Sequence, residues 1–373
     1  MLRLEHLTKR FGDRVAVDDL TLDVAEGELC VLVGPSGCGK TTTMKMINRL
    51  VEPTEGRILL GGNDVTSGDP VILRRRIGYV IQQVGLFPHQ NIATNVGTVC
   101  RLLGWDKARV VARVDELLHL VGLEPSLYRN RYPHQLSGGQ RQRVGVARAL
   151  GADPPVLLMD EPFGALDPIT REHLQNEFLR LQGELRKTVV FVTHDVDEAV
   201  KLGDRIAVLA QGGVLAQYDS PVKILSSPSS DFVADFVGAD RGLKRLKVAR
   251  IDPGDLRQPP LVATGASLAD ARRSMELDGT EYAVIVGSDR RLQGWLSATR
   301  AAGEGRAGDR ARPVEATVHA GASLEDALSK MLLHDAGWVA VVDGERFLGV
   351  LTPDALHAAS RRRVADGTSV PGR

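Results

Sequence analysis

The chain has 373 residues, 43% of them apolar and 25% charged, which is typical of a globular protein of two or three domains with an ordinary buried core. Lysine plus arginine and aspartate plus glutamate both number 47, so the formal charge is zero, and this balance argues weakly against bulk binding of nucleic acid. The three cysteines form no disulfide framework or metal spacing, as in a reduced cytosolic protein, and no apolar run resembles a signal peptide or reaches the roughly 18 residues of a membrane span.

Residues 1–238 alternate short apolar strands with helical patterns, and we assign them to one α/β domain. Strands rich in Val, Ile and Leu are expected at 28–33, 156–159, 189–192 and 205–209. Such near-continuous apolar runs are typical of a sheet that is covered on both faces. Residues 239–260 are basic at first and then rich in turn formers, so we interpret them as a linker.

The segment GPSGCGKT at residues 34–41 fits the phosphate-loop pattern G-x-x-x-x-G-K-[ST]. It follows an apolar strand and precedes a helical pattern, which is the context that the pattern requires. Glycines let backbone N–H groups close around phosphate oxygens, and the helix N-terminus adds the positive end of its dipole. We expect Lys40 to reach the β- and γ-phosphates and the Thr41 hydroxyl to bind Mg²⁺. The nucleotide-contacting residues predicted in this segment are Gly34, Ser36, Gly37, Gly39, Lys40, Thr41 and Thr42.

Two adjacent carboxylates, Asp160 and Glu161, follow the strand expected at 156–159. Sheets of α/β domains bind ligands at the carboxyl ends of their strands, so both side chains should lie near the phosphates. We expect Asp160 to hold Mg²⁺ and Glu161 to polarise the water that attacks the γ-phosphate. Adjacent acids after a strand more often belong to a solvated loop, but the phosphate loop favours the functional interpretation.

The segment LSGGQRQR at residues 136–143 resembles the signature sequence of ABC ATPases. The resemblance covers about residues 1–238 and implies a P-loop ATPase domain with a helical subdomain. The other family motifs are present in order: Phe11 where an aromatic side chain stacks on adenine, Gln82 in a Q-loop, Asp167 in a D-loop, and His194 as the switch histidine.

The resemblance implies an ATPase that works as a head-to-tail homodimer with two ATP molecules at the interface. Backbone amides that precede a helix can bind an anion. In the family, the signature residues bind the γ-phosphate of the ATP that the other subunit holds. Here they are Ser137, Gly138, Gly139 and Gln140. His194 is expected to contact the γ-phosphate as a catalytic residue with Lys40 and Glu161, and Gln82 to complete the Mg²⁺ shell with Thr41 and Asp160.

Residues 261–360 contain an internal repeat, because the pattern Gly-Ala-Ser-Leu-x-Asp-Ala begins at Gly265 and again at Gly321. Each copy is expected to form helix, strand, turn, strand and helix. Two packed copies make one small α+β domain, because a single copy could scarcely cover its apolar faces. We interpret residues 361–373 as a basic tail.

The repeat resembles a tandem pair of CBS domains, which implies a regulatory domain. Asp354 in the second copy matches an acid that can bind ribose hydroxyls, whereas the first copy has Ser297 and Thr299 in the corresponding segment. A regulatory nucleotide at the pair and a purely structural role both stay open.

The loop at residues 85–89 resembles that of importer ATPases, in which it lies beside the docking groove for the membrane subunit. Residues 44–56 and 77–89 look most like the glycine betaine, carnitine and choline uptake family. This implies permease subunits and an extracytoplasmic solute-binding protein as partners, no nucleic acid, and a peripheral position on the cytoplasmic face of the cell membrane. Importers of amino acids or sulfonates, and a soluble ABC protein acting on nucleic acid, are the alternatives.

Overall fold

A computed structural model describes residues 1–81, 85–164 and 166–365, with side chains through residue 361. The chain divides into two compact units. Within the part of the chain that the structure describes, the first contains Met1–Ile224 and Pro228–Gly238, and the second contains Leu225–Ser227 and residues 239–365. Among the described residues, no helix combines the length and the apolar character needed to cross a bilayer.

The first unit is built from ten strands and eleven helices within the residues that the structure describes. The strands are β1 Leu2–Phe11, β2 Arg14–Val24, β3 Leu29–Val33, β4 Glu55–Leu60, β5 Asn63–Asp64, β6 Ile77–Val80, β7 Val156–Asp160, β8 Thr188–Val192, β9 Arg205–Leu209 and β10 Leu215–Asp219. The helices are α1 Lys40–Ile47, α2 Pro70–Arg75, α3 Ile92–Val96, α4 Thr98–Leu102, α5 Lys107–Leu120, α6 Pro125–Tyr128, α7 Gly138–Ala149, α8 Pro168–Leu185, α9 Val196–Leu202, α10 Pro221–Ser226 and α11 Asp231–Val237. Short 3₁₀ turns lie at Pro133–Gln135 and Gln211–Gly213.

A six-stranded sheet in the order β10-β9-β3-β8-β7-β6 forms the centre of this unit. Strands β9, β3, β8, β7 and β6 run parallel, and β10 pairs antiparallel at one edge. Every residue of β3 and β8 is buried, which explains why these strands are apolar without alternation. The four strands expected from the sequence are confirmed as β3, β7, β8 and β9.

A second, antiparallel sheet in the order β2-β1-β4-β5 shares one core with α1 and the central sheet. Leu4 of β1, Met44 of α1 and Leu32 of β3 are all fully buried in this core. Burying one such side chain contributes about 1.5–3 kcal/mol. The helix that follows the phosphate loop is therefore held by both sheets.

Helices α3 to α7 lie between β6 and β7 in the sequence and form the helical subdomain that the resemblance implied. The Asp106 side chain begins α5 by accepting a hydrogen bond from the Arg109 N–H. The buried residues of α5 recur at helical spacing: Val110, Val114, Leu117 and Leu118. Helix α7, which begins with the signature residues, packs on α3 and α5.

The second unit contains two three-stranded sheets that repeat one pattern. Its elements are α12 Arg241–Val248, β11 Leu261–Ala263, α13 Leu268–Asp278, β12 Tyr282–Val286, β13 Leu292–Ser297, α14 Ala307–Arg310, β14 Thr317–His319, α15 Leu324–Leu333, β15 Val339–Asp343, β16 Arg346–Leu351 and α16 Pro353–Ala365. In both sheets, β11-β12-β13 and β14-β15-β16, a parallel pair is followed by an antiparallel pair. The repeat and the small α+β fold are confirmed.

The segment 239–260, expected as a linker, contains α12 and a 3₁₀ turn at Pro253–Asp255. Leu246, Ala249 and Ile251 are buried in one cluster with residues of α15 and β15. Of the expected basic tail, residues 361–365 continue α16 and residues 366–373 lie outside the described part of the chain.

Candidate active site

The phosphate loop connects the end of β3 to the start of α1. Gly39 has φ +106°, and a Cβ atom there would lie 2.4 Å from the Ala16 carbonyl oxygen. Gly34 is equally restricted, because its Cβ would lie 2.3 Å from the Leu209 carbonyl oxygen. Only glycine fits either position without movement of the backbone. The loop is therefore shaped by its contacts with β2 and β9 as well as by its own sequence.

Lys40 is the first residue of α1, and its side chain is only 7% exposed. Its Nζ donates hydrogen bonds to the Gly34 carbonyl oxygen at 2.7 Å and to the Pro35 carbonyl oxygen at 3.0 Å. A buried ammonium group needs such partners to offset its lost hydration. The charge of Lys40 is thereby fixed at the loop, where it can meet an anionic ligand.

Thr41 and Asp160 lie next to each other although they are far apart in the sequence. The Thr41 Oγ1 is 3.5 Å from the Asp160 Oδ1. Burial, and then the neighbouring Glu161 carboxylate, raises the pKa of Asp160 above its ordinary value. A bound cation would favour the ionised form of such a carboxylate. One hydroxyl and one carboxylate, with phosphate oxygens and water, form a donor set that suits Mg²⁺.

Glu161 follows β7 directly and has φ +44°, a left-handed conformation that is uncommon outside glycine. Its N–H donates to the Val192 carbonyl oxygen at 3.0 Å. Its Oε1 lies 3.2 Å from the Nδ1 of His194, which follows β8. Strained backbone of this kind tends to occur at functional sites, where it directs one side chain.

Lys40, Thr41, Glu161 and His194 line one cleft of about 640 Å³, a volume within the range of small-molecule sites. The lining residues are Phe11, Arg14, Ala16, Ser36, Gly37, Gly39, Lys40, Thr41, Thr42, Glu161 and His194. The cleft lies beyond the carboxyl ends of β3 and β8, as expected for an α/β sheet. Of the predicted residues, Phe11, Glu161, His194 and those of the phosphate loop other than Gly34 line the cleft. Asp160 does not line it but lies beside Thr41.

Two lining residues, Arg14 and Ala16, were not predicted from the sequence. Both belong to β2, and Arg14 pairs with Phe11 across the β1–β2 hairpin. Phe11 is 52% exposed, and the Lys9 Nζ lies 4.9 Å from the centre of its ring. The sequence feature that could have indicated Arg14 is a basic residue close to an exposed aromatic residue at a hairpin.

The signature residues are not among those that line the cleft. Ser137 caps α7: its Oγ accepts from the Gln140 N–H at 3.2 Å, and the Gln140 Oε1 accepts from the Ser137 N–H at 3.0 Å. Gly138 and Gly139 form the first turn of α7. Asp167 caps α8 by accepting from the Thr170 N–H at 3.0 Å. Gln82, predicted as a ligand of Mg²⁺, lies outside the described residues.

The loop at residues 85–89 is held by one buried amide. The Asn95 Oδ1 accepts from the Phe87 N–H at 2.7 Å. The Asn95 Nδ2 lies within 3.2 Å of the carbonyl oxygens of Phe87, Gln90 and Asn91. The Phe87 ring is nevertheless exposed. Hydrogen bonds to the buried Asn95 therefore hold the loop in place, while the Phe87 ring stays exposed at the surface.

Two family models match the chain. The model described as ABC transporter matches residues 17–164, and the model described as CBS domain matches residues 310–361. The first region contains the phosphate loop, the signature and Glu161. The second contains most of the second repeat copy.

Curated proteins match over nearly the whole length. An osmoprotectant import ATP-binding protein of Salmonella typhimurium is 47% identical over 366 residues, which are 95% of each chain. A glycine betaine/carnitine/choline transport ATP-binding protein of Bacillus subtilis is 46% identical over 363 residues, again 95% of each chain.

Among solved structures, a dimeric bacterial ABC transporter cassette is 36% identical, with a TM-score of 0.53. The match covers 59% of this chain and 99% of that one. A dimeric post-hydrolysis state of an ATP-binding cassette with bound ADP and phosphate matches with the same TM-score and 35% identity.

Proposed function

The chain belongs to the family of ABC transporter ATP-binding proteins, and from this membership we propose that it is the ATP-hydrolysing motor subunit of an importer for glycine betaine and related quaternary amines. The observation that carries the proposal is that Lys40, Thr41 and the Glu161–His194 pair line one cleft, with Asp160 beside Thr41. The solute class is supported by the two full-length relatives, one an osmoprotectant import protein and the other a glycine betaine/carnitine/choline transport protein.

In this proposal each side chain of the cleft acts on one part of ATP. Lys40 binds the β- and γ-phosphates, and Phe11 stacks on the adenine. Thr41 and Asp160 would hold Mg²⁺, which would supply positive charge to offset the negative charge of the transferred phosphoryl group. Glu161 orients the attacking water and accepts its proton. His194, which lies 3.2 Å from Glu161, contacts the γ-phosphate.

We propose that the functional unit is a head-to-tail homodimer. The amides of Ser137, Gly138 and Gly139 lie at the start of α7, where the helix dipole favours an anion. These residues do not line the cleft of their own chain, so they are free to bind the γ-phosphate in the cleft of a second copy. Each cleft then becomes complete only when two copies close around ATP.

The partners proposed on the membrane side are permease subunits and, through them, an extracytoplasmic solute-binding protein. The exposed Phe87, on the loop that Asn95 orders, is the proposed contact with the permease. Such a contact places the motor on the cytoplasmic face of the membrane as a peripheral subunit. Nucleic acid is not a proposed partner.

In the second unit, a small cavity of about 130 Å³ has room for a phosphate group, which could anchor a regulatory nucleotide. It is lined by Trp295, Ser297, Thr299, Arg300 and Arg312. In the described part of the chain, no carboxylate lies within 4 Å of the Arg300 or Arg312 guanidinium. Two guanidinium groups beside two hydroxyls suit a phosphate group. The cavity favours the first repeat copy over the copy that contains Asp354.

Nucleotide titration of a Lys40→Ala variant tests this ligand, because that change weakens binding at the main cleft. Saturable binding of AMP, ADP or ATP that is lost on Arg300→Ala and Arg312→Ala supports it. Unchanged binding in these variants refutes the location.

The catalytic assignment is tested with Glu161→Gln. Loss of the base should lower kcat by about 10² to 10⁴-fold and leave an ATP-bound dimer that persists during size-exclusion chromatography. Glu172→Gln is the matched control, because it neutralises an exposed carboxylate on α8. Ordinary ATPase activity in Glu161→Gln would refute the role of Glu161.

The solute is tested by uptake of labelled glycine betaine into cells that express the chain with its permease and solute-binding protein. We expect uptake that Lys40→Ala abolishes. A system that hydrolyses ATP but ignores glycine betaine, choline and carnitine would refute the solute class and leave the ATPase in place. An importer of amino acids or sulfonates would then be the better description.

A further inference from the structure

A tyrosine outside every predicted motif contacts the signature segment. The Gln140 Nε2 donates a hydrogen bond to the Tyr128 Oη at 3.1 Å, and both side chains are half-buried. Tyr128 is the last residue of α6, whereas Gln140 lies in the first turn of α7. The bond therefore joins the start of the signature helix to a separate element of the helical subdomain.

The other end of the Gln140 amide closes the cap of α7. Its Oε1 accepts from the Ser137 N–H at 3.0 Å, while the Ser137 Oγ accepts from the Gln140 N–H at 3.2 Å. Because a backbone N–H can only donate, the amide oxygen must face Ser137, and the amide nitrogen then faces Tyr128. A tyrosine hydroxyl can accept the bond that this nitrogen donates. The two contacts together fix the Gln140 side chain in one orientation.

Tyr128 is itself held by the chain that follows it. The Arg131 N–H donates to the Tyr128 carbonyl oxygen at 3.0 Å, and the Arg131 guanidinium lies 4.8 Å from the centre of the Tyr128 ring. The Ile92 N–H, at the start of α3, donates to the Arg131 carbonyl oxygen at 2.8 Å. The position of Tyr128 is therefore tied to α3, the helix against which α7 also packs.

We propose that Tyr128 is a positioning residue for the signature, which through Gln140 holds Ser137 and the first turn of α7 ready to meet ATP. This inference rests on the proposed function, in which the signature binds the γ-phosphate in the cleft of a second copy. Without the Tyr128 hydroxyl, the Gln140 side chain loses the bond at its nitrogen and is free to leave the cap. Closure of the dimer around ATP would then have to order the cap again, and this cost lowers the affinity between the two copies.

The test removes a single oxygen atom from the purified chain. Tyr128→Phe deletes only the hydroxyl, and Tyr132→Phe is the matched control, because Tyr132 is exposed and its ring stacks on that of His134. Both changes are made in the Glu161→Gln chain, for which a persistent ATP-bound dimer is expected. Three quantities are measured: the dissociation constant of the dimer with ATP, by analytical ultracentrifugation; the affinity for ADP, which lacks the γ-phosphate; and the unfolding temperature.

We expect the ATP-bound dimer of Tyr128→Phe to dissociate at an about 5- to 150-fold higher protein concentration, because each of the two copies loses one ordinary hydrogen bond. The affinity for ADP should not change, because Tyr128 acts on the cleft of the other copy. The unfolding temperature should fall by no more than about 6 °C, as for the loss of one hydrogen bond in a unit of this size. Tyr132→Phe should leave all three quantities unchanged.

A Gln140→Ala variant tests whether Tyr128 acts through Gln140. In that background Tyr128→Phe should weaken the dimer no further, because its partner is already absent. Additive losses from the two changes would overturn the proposal. So would a dimer that Tyr128→Phe leaves unaltered, or one that Tyr132→Phe weakens equally. If the Glu161→Gln chain itself forms no dimer with ATP, the proposed head-to-tail unit fails, and this inference fails with it.

Discussion

Replacement of Gly39 by alanine tests whether contacts with β2 shape the phosphate loop. The new Cβ would lie 2.4 Å from the Ala16 carbonyl oxygen and 3.1 Å from the Val17 Cγ2. Gly37→Ala is the matched control, because Gly37 also has a positive φ, +77°, but its Cβ would meet nothing within 4 Å. Both changes carry the cost of a left-handed alanine, about 1–2 kcal/mol. Only Gly39→Ala adds a steric clash.

Relieving the clash requires the new Cβ and the Ala16 carbonyl oxygen to move apart by about 0.6–1.0 Å, from 2.4 Å to an allowed contact, and overpacking of this kind typically costs about 1–3 kcal/mol. For a unit of this size each kcal/mol lowers Tm by about 2–4 °C. Gly39→Ala should therefore unfold about 2–12 °C below Gly37→Ala when thermal unfolding is followed without nucleotide. Equal unfolding temperatures for the two variants would show that β2 does not restrain the loop, and would refute the steric argument.

Three further outcomes are expected. Phe11→Ala should weaken ATP binding by about 5- to 150-fold, which is the range for the loss of one stacked base. Its Tm should not change, because the Phe11 ring is half exposed. An unaltered equilibrium constant for ATP binding would contradict stacking. All three cysteines, Cys30, Cys38 and Cys100, are buried, and burial raises the pKa of Cys30 to about 12. Iodoacetamide at pH 8 should therefore leave them unlabelled until the chain is unfolded, and mass spectrometry of the native protein after labelling decides this. The pKa of Glu198 is raised in the folded state, so the folded chain keeps this proton at pH values where the unfolded chain has lost it. The free energy of unfolding should therefore fall as the pH rises from about 4.5 through the raised pKa. Glu198→Gln should flatten this part of the pH dependence when stability is measured by urea denaturation.

The sequence predicted those parts of the site that belong to a motif with a fixed pattern along the chain. The phosphate loop is one such part, because its glycines, Lys40 and Thr41 act within one turn between a strand and a helix. Arg14 lies close to Phe11 across the β1–β2 hairpin but belongs to no motif, and the hydrogen bond between Gln175 and Glu198 depends on packing between α8 and α9. Nothing in the spacing between Glu198 and Gln175 indicates that α8 and α9 place them 2.9 Å apart.

Helix α12 shows the same limit in the second unit. Its basic residues made the segment look like a solvated linker. Lys244 is nevertheless buried along its apolar stem, and its Nζ pairs with the Asp240 carboxylate at 3.0 Å. Leu246 is buried on the core that also contains α15. The helix forms because this core offers an apolar surface for it to pack against. Local composition contains no information about that surface.

The left-handed backbone of Glu161 explains how two adjacent carboxylates can serve one ligand. Successive side chains of a strand point to opposite faces, so a straight continuation of β7 would turn Asp160 and Glu161 apart. Asp160 ends the strand within reach of Thr41. At Glu161 the φ of +44° takes the chain out of the strand, and its carboxylate reaches His194 at the end of β8. The conformational cost, about 1–3 kcal/mol, is the consequence of placing the proposed metal-binding acid and the proposed base next to each other in the sequence.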